Sequence, residues 1–362
     1  MIDQISNAKS TSLGRVAVGM SGGLDSSVVA SILKEAGHEV IGLTLHMFKE
    51  GSRCCSLEDV QRAQRVCEAI GIRHYTLNAV DYFEEAIIQP FVNEYASGRT
   101  PSPCVLCNQY IKFGILHTRA EQLGCTHVGT GHYVRLEERA DGWHLFRGRD
   151  AKKDQSYFLH RLSQEQLARS LFPLEGWSKD RVRAYAEEHE LPVSTSSKEE
   201  SQDLCFITEA GPAPFVEKYR PELKRIGEIR NADSGEALGE HSGIHRYTVG
   251  QRKGLGIAST APLYVKEIDP VTNTVFVDFR GRVQRDACLV DDPHWIAGEP
   301  PDPDRSYAVR LRYRHAGAVS RYREIEPGQL ELSFEEPQFA VAPGQAAVFY
   351  DGEEVLGGGW IR

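Results

Sequence analysis

The chain has 362 residues, 41% of them hydrophobic and 26% charged, with a formal net charge of −9. This is the composition of a water-soluble globular protein with room for two or three domains, and it excludes global disorder and a uniformly basic nucleic-acid binder, though not a locally basic face. Apolar runs such as residues 28–32 fall far short of the roughly 20 residues of a membrane span, the polar first residues carry no secretory signal, and eight cysteines are too few for a disulfide scaffold, so a reducing, cytoplasmic setting is expected.

Residues 15–20 (RVAVGM) read as a buried strand, and 25–36 as the helix after it, ended by Gly37. Residues 40–45 are a second strand. Residues 57–70 are a second helix with Ser56 as N-cap and Gly71 as its stop. A third strand over 73–77 precedes a helix over 82–95, a loop rich in Ser, Pro and Gly, a helix over 108–123, and a fourth strand over 126–129. This alternation predicts right-handed βαβ units around a doubly wound parallel sheet. Residues 151–197 are mostly helical, 225–260 are Gly-rich and polar, and after 265 short β runs follow at barrel spacing. The expected fold class is α/β. An N-terminal domain takes residues 1–210, with a helical extension over 151–200. A small β-rich domain takes 211–275 and a C-terminal β-barrel 276–362.

The first strand and helix are joined by Gly19-Met20-Ser21-Gly22-Gly23-Leu24-Asp25-Ser26-Ser27. Glycines let backbone approach an anion, and the helix start offers unpaired N–H groups and a positive dipole end. Ser21, Ser26 and Ser27 are further expected donors. The loop sits at the carboxyl end of a parallel strand, where open α/β sheets bind ligands. It lacks the Lys-Ser/Thr of a Walker A loop and is not GxGxxG. The pattern SGGxDS resembles the loop of the ATP pyrophosphatase superfamily, which implies ATP as substrate and cleavage to AMP and pyrophosphate. A carboxylate beside triphosphate needs a cation, so Asp25 is expected to act through Mg²⁺ or the helix N-terminus. Gly129-Thr130-Gly131-His132 ends the fourth strand at the same sheet edge, where a tight turn suits adenosine or ribose.

Cys107 closes the stiff segment Thr100-Pro101-Ser102-Pro103-Cys104-Val105-Leu106-Cys107. With a helix expected to start directly after it, the dipole should lower the thiol pKa from its free value of about 8.5, which makes Cys107 a candidate nucleophile. Cys205 lies just before the change in composition. Cys67, Cys125 and Cys288 read as small buried hydrophobes.

Taken together, GMSGGLDSSV, GRTPSPCVLCNQYIKF, GTGHYV, KKDQSYFL, the segment around Cys205, YTVGQRKGLGI, RLRYR and PGQAAVFYDG resemble the tRNA-specific 2-thiouridylases nearly end to end. The resemblance implies adenylation of O2 of the wobble uridine of tRNA by ATP, then displacement of AMP by sulfur. It implies that Cys205 carries a persulfide, that Cys107 is the nucleophile directing its sulfur, and that the two form a disulfide in one state. It places Leu45, Gly131 and the loop from Gly19 to Ser26 on ATP. It places Lys153, Asp154, Gln155, Arg312, Tyr313, His132 and Gln345 on tRNA, and Ser102-Pro103-Cys104 at the target base. A cysteine desulfurase or sulfur-relay protein is the implied sulfur donor, and the chain is expected to be a monomer. Many relatives carry Asn-Pro-Asp where this chain has Ser102-Pro103-Cys104, which puts the acid/base role of that Asp in doubt here. Cys104, Cys107 and Cys205 are also three thiolates of the kind that hold a [4Fe-4S] cluster with one iron open, so an iron–sulfur route and a metal-free persulfide relay both stand. Cys54 and Cys55 find no role.

Residues 305–323 carry Arg305, Arg310, Arg312, Arg314, Arg321 and Arg323 and no acid. As a strand, this segment would align Arg310, Arg312 and Arg314 on one face, a phosphate-binding stripe. Gln251-Arg252-Lys253-Gly254 adds charge on a Gly-rich loop. Two rival readings remain: another synthetase of the same loop type acting on a small acceptor, and a non-catalytic RNA-binding metal protein.

Overall fold

The computed structural model describes residues 14–48, 57–195, 204–207 and 211–362; Cys54, Cys55 and Ser56 lie outside these. The chain divides into two units. The first takes Met1–Ala86, Cys104–Phe206 and Glu353–Val355, the second Ile87–Pro103, Ile207–Gly352 and Leu356–Arg362.

In chain order the elements begin β1 (Arg15–Gly19), α1 (Leu24–Glu35), β2 (Glu39–His46), α2 (Leu57–Ile70), β3 (Arg73–Asn78) and α3 (Val80–Phe83). Next come α4 (Gln89–Ala96), α5 (Pro103–Leu106), α6 (Leu116–Gln122) and β4 (His127–Gly129). The hairpin β5 (Val134–Arg139) and β6 (Gly142–Arg147), α7 (Gln164–Ala168), β7 (Ser170–Leu171) and α8 (Lys179–Glu188) complete the first unit. Its sheet has the order β3-β2-β1-β4-β7, with every pairing parallel. Val16, Ala17 and Val18 of β1 are buried in succession, as a strand covered on both faces requires. Val28 and Val29 of α1, Val66 of α2, and Val182 and Ala186 of α8 share one core with it. The strand order reverses between β1 and its neighbours β2 and β4, which opens a crevice at their carboxyl ends.

The helix expected over 108–123 starts earlier. It begins at Pro103 and runs as a π-helix over Cys107–Ile115 before α6. Proline needs no N–H partner in a first turn, so Pro103 nucleates the helix rather than stiffening a loop. Cys107 is therefore one turn inside the helix, and the argument from an adjacent helix end does not apply to it. A nine-residue π segment is rare, and such segments gather at functional sites.

The second unit holds α4, α9 (Pro212–Tyr219) and a four-stranded sheet of β8 (Gly227–Asn231), β9 (Ala237–His241), β10 (Leu263–Asp269) and β11 (Thr274–Phe279), in the order β10-β11-β8-β9. Ile229, Val265, Val275 and Val277 form its core. Six further strands follow: β12 (Gln284–Trp295), β13 (Tyr307–Arg310), β14 (Ala318–Glu326), β15 (Gln329–Phe339), β16 (Ala346–Asp351) and β17 (Glu354–Ile361). They run β12-β15-β14-β13-β16-β17, and β12 pairs with both β15 and β17, closing a barrel. Register shifts at Arg285/Ala287 and Asp291/His294 bend this 12-residue strand so that it reaches both neighbours. Val290, Val309, Leu332, Phe349 and Ile361 fill the interior.

The arginine stripe does not form. β13 stops at Arg310, whose guanidinium donates to the carbonyls of Tyr313 and His315 and so holds 311–314 as a turn. Arg312, Tyr313 and Arg314 therefore lie on this turn and not on a strand face. Arg305 pairs with Asp351 and Arg323 with Glu331. A stretch without acids in sequence acquires them from strands beside it.

Candidate active site

The loop after β1 is shaped by its own side chains. Ser26 and Ser27 both donate to the carbonyl of Gly23, at 3.1 and 2.8 Å. The Ser21 hydroxyl accepts from the Gly23 N–H and bonds the Ser26 hydroxyl. These hydroxyls brace the loop. Gly22 has φ +73°, and a Cβ there would stand 2.7 Å from the Asp59 carbonyl, so only glycine passes. The buried Met20 donates its N–H to Leu43, and Thr44 Oγ1 donates to the Met20 carbonyl at 2.9 Å, fixing the strand end next to Leu45. Gly23 precedes α1, and Leu24 packs partly buried on the core.

Asp25 stands in the first turn of α1. Lys179 Nζ, at the first position of α8, lies 2.8 and 2.9 Å from its two carboxylate oxygens, and the Tyr133 hydroxyl donates to Oδ1 at 2.7 Å. Sequence reasoning named neither partner. The Ser178 hydroxyl caps α8 by accepting from Arg181 N–H, which sets the lysine at the helix entrance. A Cβ on Gly131 would stand 2.8 Å from the Asp25 Cβ, so the turn after β4 closes directly onto the start of α1. Both loops thus meet at the reversal of strand order. Asp25 is thus a carboxylate at this edge whose charge is met by the Lys179 ammonium and the Tyr133 hydroxyl.

His132 is buried beside Phe113 and Phe172, with Thr130 Oγ1 2.9 Å from Nδ1. Burial, with Lys112 nearby, holds its pKa far below the ordinary histidine value, and burial takes His117 down to about 4. Both folded-state values lie below the unfolded one. The unfolded chain therefore takes up protons first, and stability present above about pH 6.5 is lost as pH falls toward 4. For His117 the loss reaches about 3 kcal/mol by pH 4. Urea midpoints measured between pH 7 and 4 are expected to fall more steeply for the native chain than for His117→Gln.

Asp154 is buried, and its Oδ1 accepts from the N–H groups of Gly148 and Ser156. The Gln155 side-chain carbonyl accepts from Tyr133 N–H, while Lys153 closes a turn on Asp150. This segment, matched above to RNA contacts, thus also holds the chain around Tyr133.

Phe113, on the π segment that Cys107 opens, lies 5.5 Å from the His132 ring. Cys107 is buried, and Asn108 next to it donates Nδ2 to the Phe158 carbonyl while its buried Oδ1 has no partner. Phe206, adjacent to Cys205, packs against Phe48 just beyond β2 (6.2 Å) and Phe83 of α3 (6.0 Å). That aromatic trio ties the Cys205 segment to the carboxyl edge of the sheet. The other cysteines are set in apolar surroundings: burial pushes the thiols of Cys67 and Cys288 up to about 12 and raises that of Cys125.

Among the described residues no group of three or more His, Cys, Asp or Glu is arranged to hold a metal ion. Cys104, Cys107 and Cys205 therefore do not form such a group. No helix among the described residues is long and apolar enough to cross a membrane.

In the second unit, Ser102 and Pro103 are buried, and Gln345 Nε2 donates to the carbonyls of Thr100 (2.9 Å) and Pro101 (3.3 Å), bracing the chain just ahead of them. Arg312 reaches the Phe339 carbonyl at 3.4 Å.

Residues 14–209 match the family model of the tRNA methyl transferase HUP domain, 213–278 that of its PRC-barrel domain, and 285–361 the aminomethyltransferase β-barrel domain. The tRNA-specific 2-thiouridylase MnmA of Acidobacterium capsulatum is 44% identical over 370 residues, covering 96% of this chain and 98% of its own. The proteins of that name from Geotalea uraniireducens and Trichormus variabilis are 45% and 46% identical, each over 96% of this chain and over 95% and 98% of their own. With this identity extending over 96% of its length, the chain belongs to the tRNA-specific 2-thiouridylase family.

Proposed function

We propose that this chain performs ATP-dependent 2-thiolation of the wobble uridine of tRNA. The observation that carries the reading is the meeting of the Gly22–Asp25 loop, the Gly131 turn and the Phe206-anchored Cys205 segment at one edge of the parallel sheet. ATP lies along the loop near Leu45, its phosphates on backbone N–H groups and its Mg²⁺ near Asp25. Uridine O2 attacks the α-phosphorus and pyrophosphate leaves with its electron pair. This turns a poor leaving group, a carbonyl oxygen, into AMP.

Sulfur follows by a metal-free relay. A protein donor of the cysteine desulfurase or sulfur-relay class leaves a persulfide on Cys205. Its terminal sulfur attacks C2 and AMP departs. The Cys107 thiolate then attacks Sγ of Cys205, breaking the S–S bond and leaving 2-thiouridine and a Cys107–Cys205 disulfide. A cellular thiol reduces that disulfide before the next turnover. The RNA contacts are carried by His132, Lys153, Asp154 and Gln155 in the first unit, and by Arg312, Tyr313 and Gln345 in the second.

The test is nucleoside mass spectrometry of an unmodified tRNA transcript incubated with the protein, Mg-ATP and a persulfide donor. One AMP per 2-thiouridine is expected, and AMP release without thionucleoside would favour a different acceptor. Phe206→Ala is expected to slow thiolation up to about 10²-fold by loosening the Cys205 segment, with pyrophosphate release unchanged. Equal slowing of both steps would show that Phe206 supports the fold alone.

A further inference from the structure

The π segment that opens at Cys107 is tied along its length to residues 158–166. Gln166 Nε2 donates to the carbonyls of Gln109 at 3.0 Å and Phe113 at 2.8 Å. Arg161 Nε donates to Gln109 Oε1 at 3.2 Å, and Asn108 Nδ2 donates to the Phe158 carbonyl at the same distance. The mechanism above uses none of these side chains.

The direction of the Gln166 amide is set by the start of α7. Ser163 Oγ accepts from Gln166 N–H at 3.2 Å, and Gln166 Oε1 accepts from Ser163 N–H at 3.0 Å, a reciprocal cap. With the amide oxygen held there, both hydrogens on Nε2 are spent on the π segment. In that segment Leu116 N–H reaches the Ile111 carbonyl, five residues back, where an α-helix would reach Lys112. Widening the spacing tilts carbonyls out of the ladder, and donors from outside favour the widened form. A carbonyl turned from water without a donor is costly, so the two donors of Gln166 weigh on this choice.

We propose that Gln166 is a positioning residue for Cys107: it selects the five-residue spacing of the π segment and so sets the direction of the thiol. The inference rests on the sulfur relay given above, in which the Cys107 thiolate attacks Sγ of Cys205 and the RNA sulfur leaves with the electron pair. Leu116 and Ala120 of α6 are buried, which anchors the far end of the segment. A return to α spacing therefore turns the Cys107 end, by about 100° for one residue of slip. A displacement of about 1 Å at a reacting atom is enough to cost roughly 10²-fold in rate.

The test follows one turnover of persulfide-loaded full chain with tRNA transcript and Mg-ATP. Gln166→Glu keeps the oxygen that accepts from Ser163 N–H and removes both donors; Gln166→Met removes them without adding charge, should the first variant not fold. Either is expected to release pyrophosphate at the native rate, to free 2-thiouridine roughly 10²-fold more slowly, and to accumulate RNA bound through sulfur to Cys205. A crystal structure of either is expected to show Leu116 N–H bonded to the Lys112 carbonyl. Ser163→Ala loses the cap on Gln166 N–H but leaves the amide contacts, and is expected to run both steps at near-native rates. Equal slowing of both steps in the Gln166 variants, the same defect in Ser163→Ala, or an unchanged Ile111 partner in the crystal overturns the proposal. If the native protein makes 2-thiouridine in that experiment, the functional reading survives. Absence of product from the native protein overturns the reading on which the proposal rests.

Discussion

Lys179→Met is expected to lower tRNA-dependent AMP release by about 10²–10³-fold, the size of effect seen when one preorganised electrostatic donor is removed from an active site. Lys179 Nζ sits within 2.9 Å of both Asp25 oxygens, and its side chain is only 10% exposed. In the proposed reaction the helix start that carries Asp25 receives a triphosphate, and without a cation the Asp25 charge repels that ligand. The lysine offsets this charge, and in the proposed reaction it turns toward phosphate when ATP binds. Methionine keeps the apolar stem and removes only the charge, so α8 keeps its packing through Val182 and Ala186. The checks are AMP release by chromatography and a melting curve. A folded Lys179→Met protein with undiminished AMP release would reduce the pair to a brace between α1 and α8. Tyr133→Phe removes the other donor to Asp25 and should show the same defect in milder form.

Cys205→Ser is expected to abolish 2-thiouridine formation while pyrophosphate release proceeds at the native rate. A serine oxygen cannot carry a transferable sulfane sulfur, whereas nothing in the adenylation step touches this side chain. Cys107→Ser leaves the persulfide on Cys205 but removes the thiolate that breaks its S–S bond, so RNA should remain bound covalently through sulfur to Cys205. Nucleoside mass spectrometry reads the first variant, and a thiol-sensitive protein–RNA adduct on a gel reads the second. Thionucleoside from Cys205→Ser supplied with a protein persulfide donor would remove Cys205 from the relay.

Much of this architecture is legible in residue order because its causes are local. The strand Val16–Val18, the glycines of the loop, the continuous buried run of α1 and the apolar periodicity of α2 each specify an element from neighbours a few positions away. The parallel alternation and the short β runs of the barrel follow for the same reason. Where residue order misleads, the deciding contact is distant or the turn chemistry competes. The helix carrying Cys107 starts at Pro103 because proline suits a first turn as well as a loop. The arginine stripe dissolves because Arg310 finds the carbonyls of a turn, and Arg305 and Arg323 find acids on adjacent strands.

The sequence by itself determined a glycine-rich loop on a parallel sheet, a barrel in the C-terminal part of the chain and the cysteines to suspect. Only the tertiary structure decided which groups act together. Lys179 meets Asp25 across 154 positions, Tyr133 across 108, and Phe206 carries Cys205 to the sheet edge from beyond the last helix of the first unit. No periodicity encodes such pairs, because they exist only once the strands have closed their order and brought the ends of separate βα units to one edge.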